Sequence, residues 1–385
     1  MAAVGSTLAS LVRRAPAGGA PHRNLTLGYA DDLKLFRGPW RKVGLALLIF
    51  LYLWAPGYFG AYVLGVLTLC GVYAIGAIGL NLLTGYAGQV SLGHAFFFGA
   101  GGYAAAYFGA DRGWPLLAYL LAAALIGFVV GAVVGPFALR LRGNYLVIVT
   151  LGLVFLGEHL WKNWDSVTGG GNGKSVRDAA TTIGTWDFKD LTVYGVSYTT
   201  EQGLFMLVWA LVAGVALLSK NLVRSRAGRA MQAVRDRDLS AEVIGVNLAR
   251  YKVGAFAWSS AFAALSGALY GIVTNRLETG IFNLFLSITF VAMVIIGGVG
   301  TIFGSVLGAL LVFGGQQLIA RNSDLFVFDP ILIASPGDSG FLSIGEFNNI
   351  LFGLFIVLFL LFEPRGLAAL WIRAKTWFLT WPFSY

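Results

Sequence analysis

Residues 61–83 read AYVLGVLTLCGVYAIGAIGLNLL, a run with no charged side chain and with polar atoms only at Tyr62, Thr68, Cys70, Tyr73 and Asn81. At about 1.5 Å of rise per residue, a helix of this length crosses a hydrocarbon layer roughly 30 Å thick. Its polar positions define no solvated face, so the run predicts a helix surrounded by apolar matter on all sides. The same pattern recurs on either side of it. Apolar segments stand near 43–58, 92–109, 115–139, 144–163, 203–219, 251–274, 284–299, 302–320 and 348–363. Across 385 residues 57% are apolar and 12% charged, with a mean hydropathy of +0.76, whereas soluble domains carry roughly 25% charge. A water-soluble fold of this size cannot hide that apolar excess. The expectation is an all-α integral membrane protein, a polytopic bundle of about ten transmembrane helices. The 52 glycines agree, because small residues let helices approach closely where packing replaces the hydrophobic drive.

A net charge of +9 suits nucleic acid, anionic lipid or simple topology, and its distribution selects topology. Lys and Arg cluster in alternate intervals: Arg13, Arg14, Arg23, Lys34, Arg37, Arg41 and Lys42 before the first segment, then Arg140 and Arg142, then residues 220–252, then Arg365, Arg373 and Lys375. The intervening intervals hold only Arg112, Lys162, Lys174, Arg177, Lys189, Arg276 and Arg321. Positive residues resist translocation, so both termini are predicted to be cytoplasmic, in the cell (inner or plasma) membrane, with no nucleic acid as partner. The expected organisation is a partly disordered cytoplasmic arm over 1–42 lacking a signal-peptide core, a transmembrane domain over 43–370, and a cytoplasmic tail over 371–385. Within it, 164–202 and 321–347 are outer loops and 220–250 is a charged inner loop.

That inner loop carries Ala230, Met231, Val234, Leu239, Ala241 and Ile244 at roughly helical spacing, with Arg229, Arg235, Asp236, Arg237 and Asp238 between them. One or two short amphipathic helices are expected, punctuated by Gly228 and Gly245. A basic amphipathic helix commonly lies on anionic lipid; the acids Asp236, Asp238 and Glu242 favour a protein docking from the cytoplasm instead. The segment between Gly85 and Gly102 gathers Asn81, Thr84, Gln89, Ser91 and His94 beside its glycines. Irregular backbone at membrane depth is tolerated where it lines a cavity or is buried by protein, so these residues are candidates for pathway lining or, equally, for hydrogen bonds that hold the bundle together. This third segment is expected to be broken or partly re-entrant.

Other polar features carry less. Glu158 is an embedded acid, and Lys162 four residues on predicts a local ion pair, with His159 beside it. The run from Thr168 to Ser175 nearly spells a phosphate-binding loop, but lacks the first glycine and a βαβ context. Cys70 is a lone cysteine, and His22, His94 and His159 are too scattered for a metal cluster, so no metal and no catalytic residue is expected.

Several blocks also resemble a known family. Residues 79–99 (GLNLLTGYAGQVSLGHAFFFG) resemble the signature of LivM-type permease subunits of branched-chain amino-acid ABC transporters, within a broader family that includes LivH-type and urea or short-amide permeases. Residues 140–145 (RLRGNY), 163–170 (NWDSVTGG), 225–229 (SRAGR), 297–304 (GGVGTIFG) and 363–367 (EPRGL) follow in family order, so the resemblance covers about 60 to 370. It implies a permease of an ATP-driven importer, most directly for branched-chain amino acids, alternatively for urea or short amides. It implies as partners a homologous LivH-like permease, two cytoplasmic ATPases and an extracytoplasmic binding protein, besides membrane lipid. ATP and Mg²⁺ would sit on the ATPases, with no cofactor in this chain and no enzymatic activity of its own.

The inner loop resembles the coupling loop that docks into the ATPase. Ser240, Ala241 and Gly245 match its small residues and glycine, while Leu239 stands where the leading Glu would be and Asp238 is displaced by one. Arg226, Gly228, Arg229, Arg235, Asp236, Asp238, Ser240, Ala241, Glu242 and Gly245 are the coupling candidates. The contrasting class is a stand-alone secondary transporter or channel, which would need embedded acids or bases to couple an ion gradient.

Overall fold

A computed structural model describes residues 39–139, 145–184, 186–193 and 196–321, and beyond 331 the positions 332–333, 342–343, 347, 350, 353–354, 357–358, 361–363 and 366–380. The expected arm up to residue 38, Arg140 and Arg142, and most of 321–347 and of the last apolar segment lie outside the described residues. The chain forms two units that part at Ala55 and Pro56. Helix α1 (Pro39–Tyr58) belongs mainly to the first. Pro56 lies in its last turn, where the missing N–H removes a single bond rather than breaking the helix.

The second unit is a bundle around two buried helices. Helix α2 (Ala61–Asn81) continues through a π turn at Leu82–Tyr86, and 72% of its apolar window is buried. After a non-helical segment comes α3 (His94–Ala104), extended by a π turn at Ala105–Asp111. Next are α4 (Leu116–Leu139) and α5 (Tyr145–Asn163). Helix α6 (Thr200–Arg224) begins at a reciprocal cap, in which Thr199 and Gln202 each accept the other's backbone N–H. Two short helices follow, α7 (Arg226–Asp236) and α8 (Asp238–Val243). Helix α9 (Leu248–Thr274) is 78% buried over its apolar window and packs against α4, α3 and α2. Helices α10 (Leu284–Gly297) and α11 (Ile302–Arg321) are bent by 119° relative to one another, and α12 (Gly366–Thr380) packs against both.

Helix α4 shows why the bundle needs lipid. Leu117, Leu121, Leu125, Val129 and Val133 recur every fourth residue and are 49–69% exposed. Burying such a side chain stabilises by about 1.5–3 kcal/mol, so in water the stripe would forgo on the order of 10 kcal/mol. The opposite face carries Gly127, Gly131 and Gly135 against α9. A methyl group on Gly131 would stand 2.6 Å from Ser260 Oγ and 3.1 Å from Ala257 Cα, so the helices touch nearly backbone to backbone.

Among the described residues five helices are long and apolar enough to cross a membrane, and the bent pair α10–α11 makes a sixth if it counts as one span. Of the ten apolar segments expected from the sequence, the last, 348–363, lies mostly outside the described residues. The apolar part of α1, Val43–Tyr58, falls short of a full span. The third segment, expected to be broken or partly re-entrant, is continuous from His94 to Asp111, and the irregular backbone precedes it; His94 Nε2 lies 2.8 Å from Gly76 O, so α3 starts level with Gly76, about 15 Å up α2 from Tyr86. At the end of the bundle remote from α7 and α8, Lys174–Ser175 pairs antiparallel with Arg276–Leu277, tying the 164–199 loop to the end of α9.

Candidate coupling site

The stretch expected to dock a partner forms two helices at one end of the bundle. Helix α6 runs on to Arg224 and shortens the loop from 220–250 to residues 225–247. Ser225 turns the chain and its hydroxyl accepts the Gly228 N–H at 3.3 Å. Gly228 therefore lies within the first turn of α7 and is not the punctuation expected of it. A Cβ there would meet the carbonyls of Val223 and Leu222 at 2.2 and 2.4 Å, so close packing fixes this glycine. Gly245 does terminate α8, at φ +85°, with its N–H on Glu242 O at 2.9 Å.

The apolar face divides in two. Met231, Val234 and Ala241 are buried against the bundle, whereas Leu239, Val243 and Ile244 are 79%, 87% and 74% exposed. Leu239 and Ile244 thus stand apart from the other apolar residues of the loop, and Val243 lies beside them. Arg226, Arg229, Asp236, Ser240 and Glu242 are exposed around them. Arg229 reaches back to Arg224 O at 2.8 Å, and Asp238 pairs with Lys252 at 2.6 Å, which pins α8 to the first turn of α9.

Arg235 points the other way. Its Nη1 donates to Gly85 O in the π turn of α2, and its stem covers Gly88, where a Cβ would lie 2.7 Å from Arg235 Cγ and φ is +70°. Its guanidinium also lies 3.4 Å from Asp236. Behind Gly85 stands Asn81, wholly buried. Asn81 Nδ2 donates to Thr301 O at 2.8 Å and Ser305 Oγ at 2.7 Å, and Oδ1 accepts the Gly300 N–H at 2.8 Å. A side chain on Gly85 would strike Asn81 Oδ1 and Gly300 N, so only glycine fits between them.

The remaining polar candidates gather around the unwound segment 87–93. Thr84 Oγ1 donates to Gln89 O at 3.1 Å, and Ser91 Oγ accepts the Gly93 N–H at 3.2 Å. Gln89 is buried, with its N–H on Leu83 O. His94 is held by Gly76 O and stacks edge-on against Phe290. Two residues missed by the sequence reading complete the set: Thr150 Oγ1 accepts the Leu92 N–H and Ser287 Oγ the Ala95 N–H, both at 3.0 Å. Each comes from a distant helix, and no local pattern marks it.

At the opposite end, Lys174 of the near-phosphate loop donates to Asp111 and to Val167 O, and its ammonium is engaged within the fold. The Glu158–Lys162 pair does not form; among the described residues no ion pair joins them, Lys162 being exposed at the end of α5. His159 instead pairs with Asn163. Among the described residues no three His, Cys, Asp or Glu gather as a metal site.

A helical bundle that shows lipid an apolar flank and carries an external two-helix appendage is a membrane-embedded transport component. The family profile described as "Branched-chain amino acid transport system / permease component" matches residues 62–361, and the chain belongs to that family. It is 28% identical over 337 residues to the high-affinity branched-chain amino acid transport system permease protein LivM of Salmonella typhimurium, and to its counterpart in Escherichia coli, covering 84% of this chain and 73% of those proteins. The related protein LivH of Escherichia coli is 28% identical over 265 residues, 66% of this chain and 83% of LivH. No solved structure matches.

Proposed function

We propose that this chain is one of two permease subunits of an ATP-binding-cassette importer for branched-chain amino acids. It crosses the cell membrane about ten times, with both termini cytoplasmic. Its partners are a LivH-like permease, two cytoplasmic ATPases that bind α7–α8, and an extracytoplasmic binding protein that delivers substrate to the 164–199 and 321–347 loops. ATP and Mg²⁺ bind the ATPases, and this chain is not an enzyme. Asn81, Thr84, Gln89, Ser91 and His94 line the route for substrate at the break between α2 and α3, where Thr84 and Ser91 hold the unwound backbone.

The observation that carries the docking role is the cap of Leu239, Val243 and Ile244. Three large apolar side chains at the tip of a short helix, ringed by Arg237, Asp238 and Glu242, gain nothing in water and form a protein-binding surface. The acids among them disfavour a purely anionic lipid surface.

The test is to purify the chain with its copurifying subunits and to measure which solutes stimulate ATP hydrolysis when delivered by the binding protein. Stimulation by leucine, isoleucine or valine supports the assignment, and stimulation by urea or acetamide alone would move it to the amide branch. Substrate accumulation by the chain alone in liposomes, under a proton or sodium gradient, would defeat it. Gly245→Val, which forces a branched side chain into a positive-φ position, is expected to weaken ATPase retention while leaving membrane insertion intact.

A further inference from the structure

Two chain breaks distant in sequence meet beneath α7, and the first residue of α12 touches the second of them. The π turn of α2 with the unwound segment after it lies against the turn between α10 and α11, and Gly366 lies against that same turn. Gly85 abuts Gly300, and a Cβ on Gly366 would lie 2.6 Å from Gly298 N. Asn81 joins the first break to the second through Gly300, Thr301 and Ser305. Only one described side chain of α7–α8 has a hydrogen bond recorded to this knot: Arg235, on Gly85 O.

The covalent route out of the appendage is different. It runs through Ser225 into α6 and through Asn247 into α9, and α9 is locked against α2, α3 and α4 by contacts such as Gly101 with the backbone of Ala264, and Gly267 with that of Phe98. Helices fitted backbone to backbone move as one block, because packed interiors transmit displacement and do not absorb it. The compliant parts are the breaks, where backbone hydrogen bonding is already irregular.

Resting on the proposed function above, we infer that Arg235 is a positioning residue for transport: it carries the displacement of the docked α7 helix to the end of α2, and so to the unwound 87–93 segment and the α10–α11 turn. A guanidinium suits this role. Its stem bears on Gly88 while its head holds Gly85 O, so a push and a pull are both transmitted. Gly88 contributes by having no side chain, which lets the arginine stem lie against the backbone.

The experiment uses the full assembly with both ATPases and the binding protein in proteoliposomes, following radiolabelled leucine uptake and ATP hydrolysis in parallel. Arg235→Ala is expected to retain the ATPases on copurification and keep hydrolysis within about threefold of wild type, while uptake per ATP falls at least tenfold, the equivalent of about 1.4 kcal/mol or more of lost coupling. Arg235→Lys, which restores one donor, should recover part of the loss.

Hydrogen–deuterium exchange supplies a readout that a simple docking contact would not move. In wild type the 82–89 peptide should change protection between nucleotide-free and ATP-trapped states; in Arg235→Ala that change should vanish while the change at 226–243 persists. An unaltered response at 82–89, or normal uptake per ATP, overturns the inference and leaves the importer assignment standing. Loss of the ATPases from the variant also overturns it, since Arg235 would then be a docking residue. Failure of the wild-type chain to retain any ATPase would defeat the importer assignment itself.

Discussion

Asn81 concentrates several hydrogen bonds on one buried amide, and its replacement isolates their worth. Asn81→Leu keeps the number of side-chain heavy atoms but strands the Gly300 N–H and leaves Thr301 O and Ser305 with one partner fewer. An unsatisfied buried group costs about 1–3 kcal/mol, and measured interhelical bonds in membranes sit at the low end, so a total of about 2–4 kcal/mol is expected. Thermal unfolding in detergent should show a clear fall in midpoint, and an unchanged midpoint would mean that the turn is held by packing alone. The sequence brought Asn81 to notice as a polar residue in an apolar run, but left open whether it faced a pathway or a neighbouring helix. Its partners lie more than two hundred residues away, and no spacing rule reaches that far. Arg235 was legible as part of a charged helix; its direction, inward to Gly85 and not outward to a partner, was not.

Helix α4 was the most readable element, because its apolar run is long and bounded by Pro115 and the Arg140 region. Its two faces were not separable in advance, since a helix between lipid and protein is apolar all round. The glycine row at 127, 131 and 135 marks the packed side. Gly131→Leu is expected to force α4 off α9 and to lower the unfolding midpoint by an amount equivalent to about 1–3 kcal/mol. Gly152→Leu on α5, where nothing lies within 4 Å, should match wild type, and equal loss in both would undo the distinction between the faces. On the outward stripe, Leu125→Lys should cut the membrane-inserted fraction sharply, since a central lysine costs about 2.5–3.5 kcal/mol. Normal insertion would indicate that another subunit covers that stripe. Among the loop helices, amphipathic spacing found both elements but did not separate Met231, Val234 and Ala241, which pack on this chain, from Leu239 and Ile244, which do not. Periodicity marks an apolar face without saying whether this chain or another covers it.

For the molecule as a whole, the sidedness of the charges makes the most direct prediction. Cys70 is buried, so labelling of the native chain should be weak and introduced cysteines should report cleanly. In intact cells, Ser175→Cys should react with a membrane-impermeant thiol reagent and Ser240→Cys only after permeabilisation; the reverse pattern would invert the topology. The membrane class and the permease family were both readable from the chain, the first from composition and the second from ordered glycine-rich blocks. Continuity of the spans was not, because a break such as 87–93 is stabilised by side chains from other helices and barely alters hydropathy. The cap of Leu239, Val243 and Ile244 has a further consequence for the life of the protein. On the proposed function, a copy made ahead of the ATPase subunits would present those side chains bare to the cytosol, where chaperones and proteases recognise just such surfaces. Production of this subunit in excess should therefore shorten its half-life, and supplying the ATPase should lengthen it, which makes assembly itself the control on how much permease accumulates.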